Sequence, residues 1–102
     1  MLDILFEWDE AKNLANQRKH GVSFEEASRV FFDPLCCSVK ERIQNGEQRW
    51  RTYGQVEGLV LLVVAHTVRE ENRQGELIEV IRLISARRAT RKEQRYYEEE
   101  NR

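Results

Sequence analysis

The run LVLLVVAHTVR, residues 59–69, constrains the fold more than any other stretch of the chain. It is apolar at nearly every position. A run of that kind reads as a strand buried on both faces rather than a half-exposed one. Its continuous apolar part, Leu59 to Ala65, is far too short to span a bilayer. The rest of the chain has to supply a sheet around this strand and cover for it.

Hydrophobic period and turn chemistry supply the neighbours. Ile4 to Trp8 is an apolar run fit for a first strand. Asp9 is a candidate N-cap for a helix over Ala11–His20, which Gly21 closes. On that helix Ala11, Leu14, Ala15 and Arg18, through its stem, are expected to pack. Lys12, Asn16, Lys19 and His20 fall on the other, polar face. Ser23 and Glu26 have capping-box spacing, and Phe24, Ala27, Val30 and Phe31 recur at helical intervals, so a second helix is predicted there. Asp33-Pro34 ends it. The period then changes. Cys37–Ile43 and Arg49–Val56 read as strands separated by the turn dipeptide Asn45-Gly46, and Glu57-Gly58 turns the chain into the buried run. Glu70–Glu76 is expected to be a charged loop, followed by a strand over Leu77–Ser85. Thr90 and Glu93 make a further capping box, opening a helix from Arg91 toward Glu100. The predicted order is β-α-α-β-β-β-β-α. It implies an α+β domain with two N-terminal helices and one C-terminal helix, packed on one side of a compact, mainly antiparallel sheet.

At 102 residues the chain is one domain, 1–102, with a single small core. Its charged share of 34% is high and its hydrophobic share of 40% low, so much of the charge must sit on a face. The formal net charge of −1 says nothing in favour of nucleic acid. The distribution does. Between Arg82 and Arg95, Arg82, Arg87, Arg88, Arg91, Lys92 and Arg95 stand against Glu93 alone, a local anion site within a neutral protein. The N-terminus lacks a basic n-region and a long apolar stretch, so no signal peptide is expected. Cys36 and Cys37 are adjacent, a poor disulfide framework, and both are expected to be reduced. These features predict a cytoplasmic protein without a membrane segment.

Arg82 is the most informative residue. Alternation places Ile78, Val80, Arg82 and Ile84 on one side of their strand, with Leu77, Glu79, Ile81, Leu83 and Ser85 on the other. An arginine amid apolar residues needs an anion. That anion is either an acidic side chain on a covering helix or a phosphate, which the planar guanidinium suits. Arg69 lies at the end of the preceding strand and Arg87 just after the end of the Arg82 strand, and Arg87 and Arg88 precede a helix start, itself attractive to anions. Hairpin register alone does not bring Arg69 and Arg82 together. Lys12, Arg49, Arg51 and Arg88 are further candidate contacts for a polyanion such as a nucleic-acid backbone. His20 either acts as a general acid or base or simply complements its helix dipole, whereas His66, late in a buried strand, is structural. Glu93 and Tyr97 lie on one helical face. Tyr97 either packs that helix onto the sheet or, with Tyr96 and Trp8, offers aromatic surface for bases. Two histidines without an H-E-x-x-H or C-x-x-C pattern make no case for a metal, and no phosphate loop, dinucleotide motif or nucleophile elbow is present. No metal and no cofactor is expected.

Two blocks of sequence resemble a known family. Phe6-Glu7-Trp8-Asp9, Lys12, Asn16 and Lys19-His20-Gly21-Val22-Ser23-Phe24-Glu25-Glu26-Ala27 are similar to the N-terminal signature of BrnT proteins. Arg82-Leu83-Ile84-Ser85-Ala86-Arg87, with Ala89, Glu93 and Tyr97, resembles that family's ending. The likeness runs over nearly the whole chain. Leu83, where isoleucine is usual, and the charged segment Glu70–Glu76 are the departures.

The resemblance implies a RelE-like fold and a ribonuclease toxin of a type II toxin–antitoxin pair. The ribose 2′-hydroxyl would attack the adjacent phosphate, a base would take its proton, and cations rather than a metal would stabilise the developing charge. It puts catalytic weight on Arg69, Arg82 and Arg87, then on Lys19, His20 and Tyr97. It also implies a DNA-binding BrnA-type antitoxin as partner, in a toxin–antitoxin heterotetramer that reaches operator DNA only through the antitoxin. The competing reading is a catalytically inactive toxin-fold module acting with its antitoxin as co-repressor. A third is an RNA-binding domain without such a partner.

Overall fold

The computed structural model describes residues 3–102. Among them the chain forms β1 (Asp3–Glu7), α1 (Glu10–His20), α2 (Phe24–Ser28) continuing into a 3-10 turn (Arg29–Phe32), β2 (Cys37–Gln44), β3 (Glu47–Val56), β4 (Val60–Arg73), β5 (Glu76–Arg88) and α3 (Arg91–Glu100). The strands make one five-stranded sheet in the order β1-β5-β4-β3-β2. β1 runs parallel to β5 and the other pairings are antiparallel. The apolar run thus lies in β4, the central strand. Leu62 and Val64 enter a core with Phe24, Ala27 and Val30 of the α2 region, while Leu61 and Val63 pack with Tyr53 and Tyr97 beneath α3. The helices therefore do not share one side of the sheet. A strand apolar on both faces needs cover on both, and α3 provides the second.

The first and last helices are capped as their sequences predict. Asp9 accepts the Lys12 N–H at 3.1 Å, and Gly21, at φ 71°, returns its N–H to the Gln17 carbonyl. Thr90 and Glu93 cap each other's backbone N–H groups reciprocally. At the head of α2, Ser23 accepts the Glu26 N–H.

The inward face of α1 differs from the periodicity reading. Asn13 and Asn16 are buried, whereas Ala11, Leu14, Ala15 and Arg18 are exposed, Leu14 to 48%. The reason lies in what α1 covers. β1 accompanies β5 only as far as Arg82, so further along that edge backbone groups lack a strand partner. Asn16 supplies one: its amide nitrogen donates to Ala86 O at 2.8 Å and to Val22 O at 2.9 Å, and its oxygen accepts the Ala86 N–H at 3.2 Å. Asn13 accepts the Phe24 N–H at 2.8 Å and donates to Glu25. The helix is glued by amides rather than by apolar contact.

Two further expectations change in the β4–β5 hairpin. Glu70–Glu76 is not a loop. Pairing continues to Arg73↔Glu76, closed by a two-residue turn at Gln74-Gly75 with φ 52° and 85°. This charged arm is solvated, so its strands show no apolar alternation. Second, the register slips between Ala65↔Ser85 and His66↔Leu83, leaving Ile84 as an extra residue on β5. The bulge resets alternation. Leu83 and Ala86 both enter the α2-side core, and Ser85 joins the face that carries Arg82.

Candidate functional site

Register defines the sheet face on which α3 sits. Arg51, Ala65 and Ser85 share one cross-strand row. Thr67, Arg82 and Glu7 share the next, then Arg69, Val80 and Leu5, and Val63 pairs with Arg87 on the same face. Ala65, Thr67 and Ser85 are short, so the middle of the face is low and long arginines stand around it. A cleft of about 480 Å³ opens here, lined by Glu41, Arg42, Arg49, Trp50, Ala65, Ile84 and Ser85. A second, of about 380 Å³, lies beside α3 between Val39, Arg51, Tyr53, Thr90, Lys92, Glu93 and Tyr96.

The arginines differ in how their charge is spent. Arg69 grips Glu7 through both guanidinium ends at 2.7 and 3.0 Å and also reaches Glu71 at 3.5 Å. These bonds hold the Glu7 carboxyl below its ordinary range, Arg69 being the largest cause. Arg87 holds Glu93 at 2.7 and 3.0 Å, and this contact lowers the Glu93 pKa to about 2. Arg51 touches Glu41 at 3.3 Å through one nitrogen. Arg82 is exposed and has no hydrogen-bond or ion-pair partner among the described residues. Arg49 makes no ion pair there either, and its buried Nε, like that of Arg51, lacks a partner. Of the two anions open to Arg82 in the sequence, the covering-helix carboxylate is not present: the acidic residues engage Arg69 and Arg87 instead.

Other candidates lie elsewhere. Arg88 pairs with Leu62 and so leaves the sheet on the opposite face. Lys12, Lys19 and His20 belong to α1, along the β5 edge, and no hydrogen bond or ion pair joins them to the arginines among the described residues. His66 is buried on the α2 side. Its Nε2 lies 2.6 Å from Thr52 Oγ1, which lies 2.7 Å from Ser38 Oγ, and the Phe31 ring stands edge-on to the imidazole at 4.8 Å. Burial lowers its pKa to about 4, so it is neutral at physiological pH. Tyr97 is 5% exposed and donates its hydroxyl to Asp33 at 2.6 Å, a tie between α3 and the turn after the 3-10 segment. Burial and the Asp33 carboxylate both push its phenol upward. Cys36 and Cys37 are free thiols, raised by burial. Alternation along β4 already places Ala65 with Thr67, but the sequence does not signal Ser85 as the third member of that low floor, because the bulge at Ile84 puts it there. Tyr96, one position out of phase with Tyr97, lines the cleft beside Arg51, whereas Tyr97 borders a smaller one with Gln55 and Leu61.

Known proteins bear on this face in two ways. No curated protein sequence matches the chain significantly. The crystal structure of the Brucella abortus ribonuclease toxin BrnT superposes with a TM-score of 0.55 over 89% of this chain and 100% of that one, at 23% identity. That likeness concerns the fold. The family model described as ribonuclease toxin, BrnT, of type II toxin-antitoxin system matches residues 8–93, which include α1, the whole arginine face of β3–β5 and the Glu93 that anchors Arg87. By that match this chain belongs to the BrnT family of ribonuclease toxins of type II toxin–antitoxin systems.

Proposed function

We propose that the chain is a metal-independent endoribonuclease with Arg82 at its centre, neutralised by an antitoxin of the BrnA type. The observation that carries this reading is Arg82 itself. An exposed guanidinium stands on an open sheet face above a floor of short side chains, and the nearest carboxylate across the register, Glu7, is already gripped by Arg69. A phosphate is the anion such a fork takes in two-point contact. In the reaction, the ribose 2′-oxygen bonds to the adjacent phosphorus as its proton leaves to a base. The bond to the 5′-oxygen then breaks as that oxygen takes a proton, from water or from the base that received the first, giving a cyclic phosphate and a 5′-hydroxyl. Charge gathers on the non-bridging oxygens, where Arg82, assisted by Arg49, stabilises it, while Arg51 contacts the bound RNA beside the site. Arg69 and Arg87, neutralised by Glu7 and Glu93, frame the site, while Lys19, His20 and Tyr97 act at a distance from it. The fold is of the RelE-like kind. The toxin pairs with the antitoxin as a heterotetramer in the cytoplasm and reaches operator DNA through that partner.

One observation favours the second reading, an inactive co-repressor. Two of the five arginines on this face are already satisfied by carboxylates, and neither histidine lies on it. Expression without antitoxin decides between them. The parent should arrest growth and degrade RNA, Arg82→Ala should do neither while remaining folded, and purified parent should cleave RNA in the presence of a metal chelator. Normal growth and intact RNA with well-expressed parent would sink the nuclease reading in favour of the co-repressor.

A further inference from the structure

We propose that the cleft beside α3 is a nucleobase subsite. One unpaired base of single-stranded RNA would lie there between the Tyr96 ring and the Arg51 guanidinium, while its phosphate reaches the arginine face. This rests on the ribonuclease reading and names a specificity element for it.

The cleft has the right size and lining. Its volume of about 380 Å³ falls in the range of about 300–1,000 Å³ typical of small-molecule sites. Val39 and Tyr53 form an apolar floor, and Thr90, Lys92 and Glu93 bring polar groups to one wall. Tyr53 is itself buried: Tyr96 meets its ring edge-on at 5.2 Å and the Arg51 guanidinium lies 5.5 Å from its centre. Tyr96 and Arg51 therefore present the flat surfaces that remain half-exposed. Unstacked bases are held on such tyrosine rings and guanidinium planes.

The two tyrosines of α3 also divide their work. Tyr97 turns inward to Asp33. Tyr96 rests one edge on the buried Tyr53 and keeps the rest of its ring half-exposed in the cleft. Arg51 adds the charge argument. One contact to Glu41 at 3.3 Å leaves most of its donors unused, and its buried Nε has no partner. Arg51 and Lys92 bring cations to the rim, and Glu93 on the same wall has its charge taken up by Arg87. Ala65 and Ser85 follow Arg51 across the sheet, at one and two strand spacings of about 4.8 Å each. A base seated in the cleft thus keeps its phosphate over the low floor that Arg82 borders.

The test uses a short, fluorescently labelled oligonucleotide with 2′-O-methyl riboses, which binds without being cut, and the same backbone made abasic. Affinity is measured by anisotropy for the full-length protein and for Tyr96→Ala and Tyr96→Phe. The parent should prefer the base-bearing strand by about 5- to 100-fold. Tyr96→Ala should bring that ratio close to one, and Tyr96→Phe should preserve it. Because the ratio is taken within each variant, a general loss of affinity does not imitate the effect. An unchanged ratio in folded Tyr96→Ala overturns the subsite, as does a parent that binds both strands alike. If, instead, the antitoxin shields Tyr96 from chemical acetylation while RNA does not, the cleft is a protein-docking surface and the proposal falls. Cleavage of unmodified RNA is scored separately: a parent that cuts RNA, with a KM that Tyr96→Ala leaves unchanged, removes the subsite and keeps the ribonuclease.

Discussion

Arg87 and Glu93 meet as a two-point ion pair, 2.7 and 3.0 Å between guanidinium nitrogens and carboxylate oxygens. The same carboxylate accepts the Thr90 N–H at 2.9 Å, so one side chain both starts α3 and moors it to the last strand. Arg87 is the main reason that the Glu93 pKa falls to about 2 from an ordinary 4.5. A carboxylate depressed in the folded state stabilises it above pH 4.5, and that contribution is lost as pH falls toward 2. Glu93→Gln should therefore destabilise the protein at neutral pH by about 1–3 kcal/mol. It should also flatten the loss of stability between pH 4.5 and 2. Urea titrations across that window check both. A variant whose acid limb matches the parent's would show that Glu93 is not the group responsible.

The arginines should separate into two kinds when truncated. Arg82 has no partner to orphan, so Arg82→Ala should leave stability within about 0.5 kcal/mol of the parent while RNA cleavage disappears. Arg69→Ala breaks a partly exposed ion pair and should cost about 0.2–1 kcal/mol. Arg87→Ala leaves the half-buried Glu93 alone and should lower the melting temperature most of the three. Thermal melts beside cleavage rates would show the pattern. An Arg82→Ala protein that melts well below the other two would reveal a structural partner for Arg82 instead.

His66 makes an acid-sensitive point in the opposite layer. The hydrogen bonds are mutually consistent when Ser38 donates to Thr52, Thr52 donates to His66 Nε2, and Nδ1–H faces the Thr67 carbonyl at 3.4 Å. Burial favours this neutral ring and sets its pKa near 4 rather than 6.5. Between those values the unfolded chain binds more protons, so stability should fall as pH drops from 6.5 to 4 and then stop falling on this account. The full effect is at most about 3 kcal/mol. Imidazole NMR titration should find His66 titrating near 4. A value near 6.5 would contradict the burial argument.

Local chemistry made the strands, the hairpin turns and the helix caps legible, because each depends on a few neighbouring residues. Asn45-Gly46 and Glu57-Gly58 turn as their dipeptides demand, with positive φ at all four residues. Sequence and structure part where the deciding partner is distant or is not a side chain. Alternation read through β5 assumed one residue per position, and the extra Ile84 shifted Ser85 onto the arginine face. Arg69 and Arg82 were identifiable as cations, but Glu7, which makes one of them structural, is 62 residues from Arg69 in the chain. Tyr97 differs from Tyr96 through Asp33, which meets its hydroxyl from 64 residues away in the chain.

Asn16 shows most directly why a polar residue sits on the inner side of α1. Its three hydrogen bonds, at 2.8, 2.9 and 3.2 Å, satisfy both backbone groups of Ala86 and the Val22 carbonyl. Asn16→Leu offers a side chain of similar size and more apolar surface, which would help if α1 were held by the hydrophobic effect. Instead it leaves buried donors and acceptors unmet, at about 1–3 kcal/mol for such a group, so a loss of about 2–4 kcal/mol is expected. Asn16→Asp keeps the acceptor for the Ala86 N–H but turns a second oxygen toward two carbonyls, and should be no better. Hydrogen exchange gives the local readout: the Ala86 amide should lose its protection in both variants, while Val64 in the central strand keeps its own relative to global stability. If Asn16→Leu were as stable as the parent, the amide bonds would be incidental and the edge of β5 would have to be covered by packing.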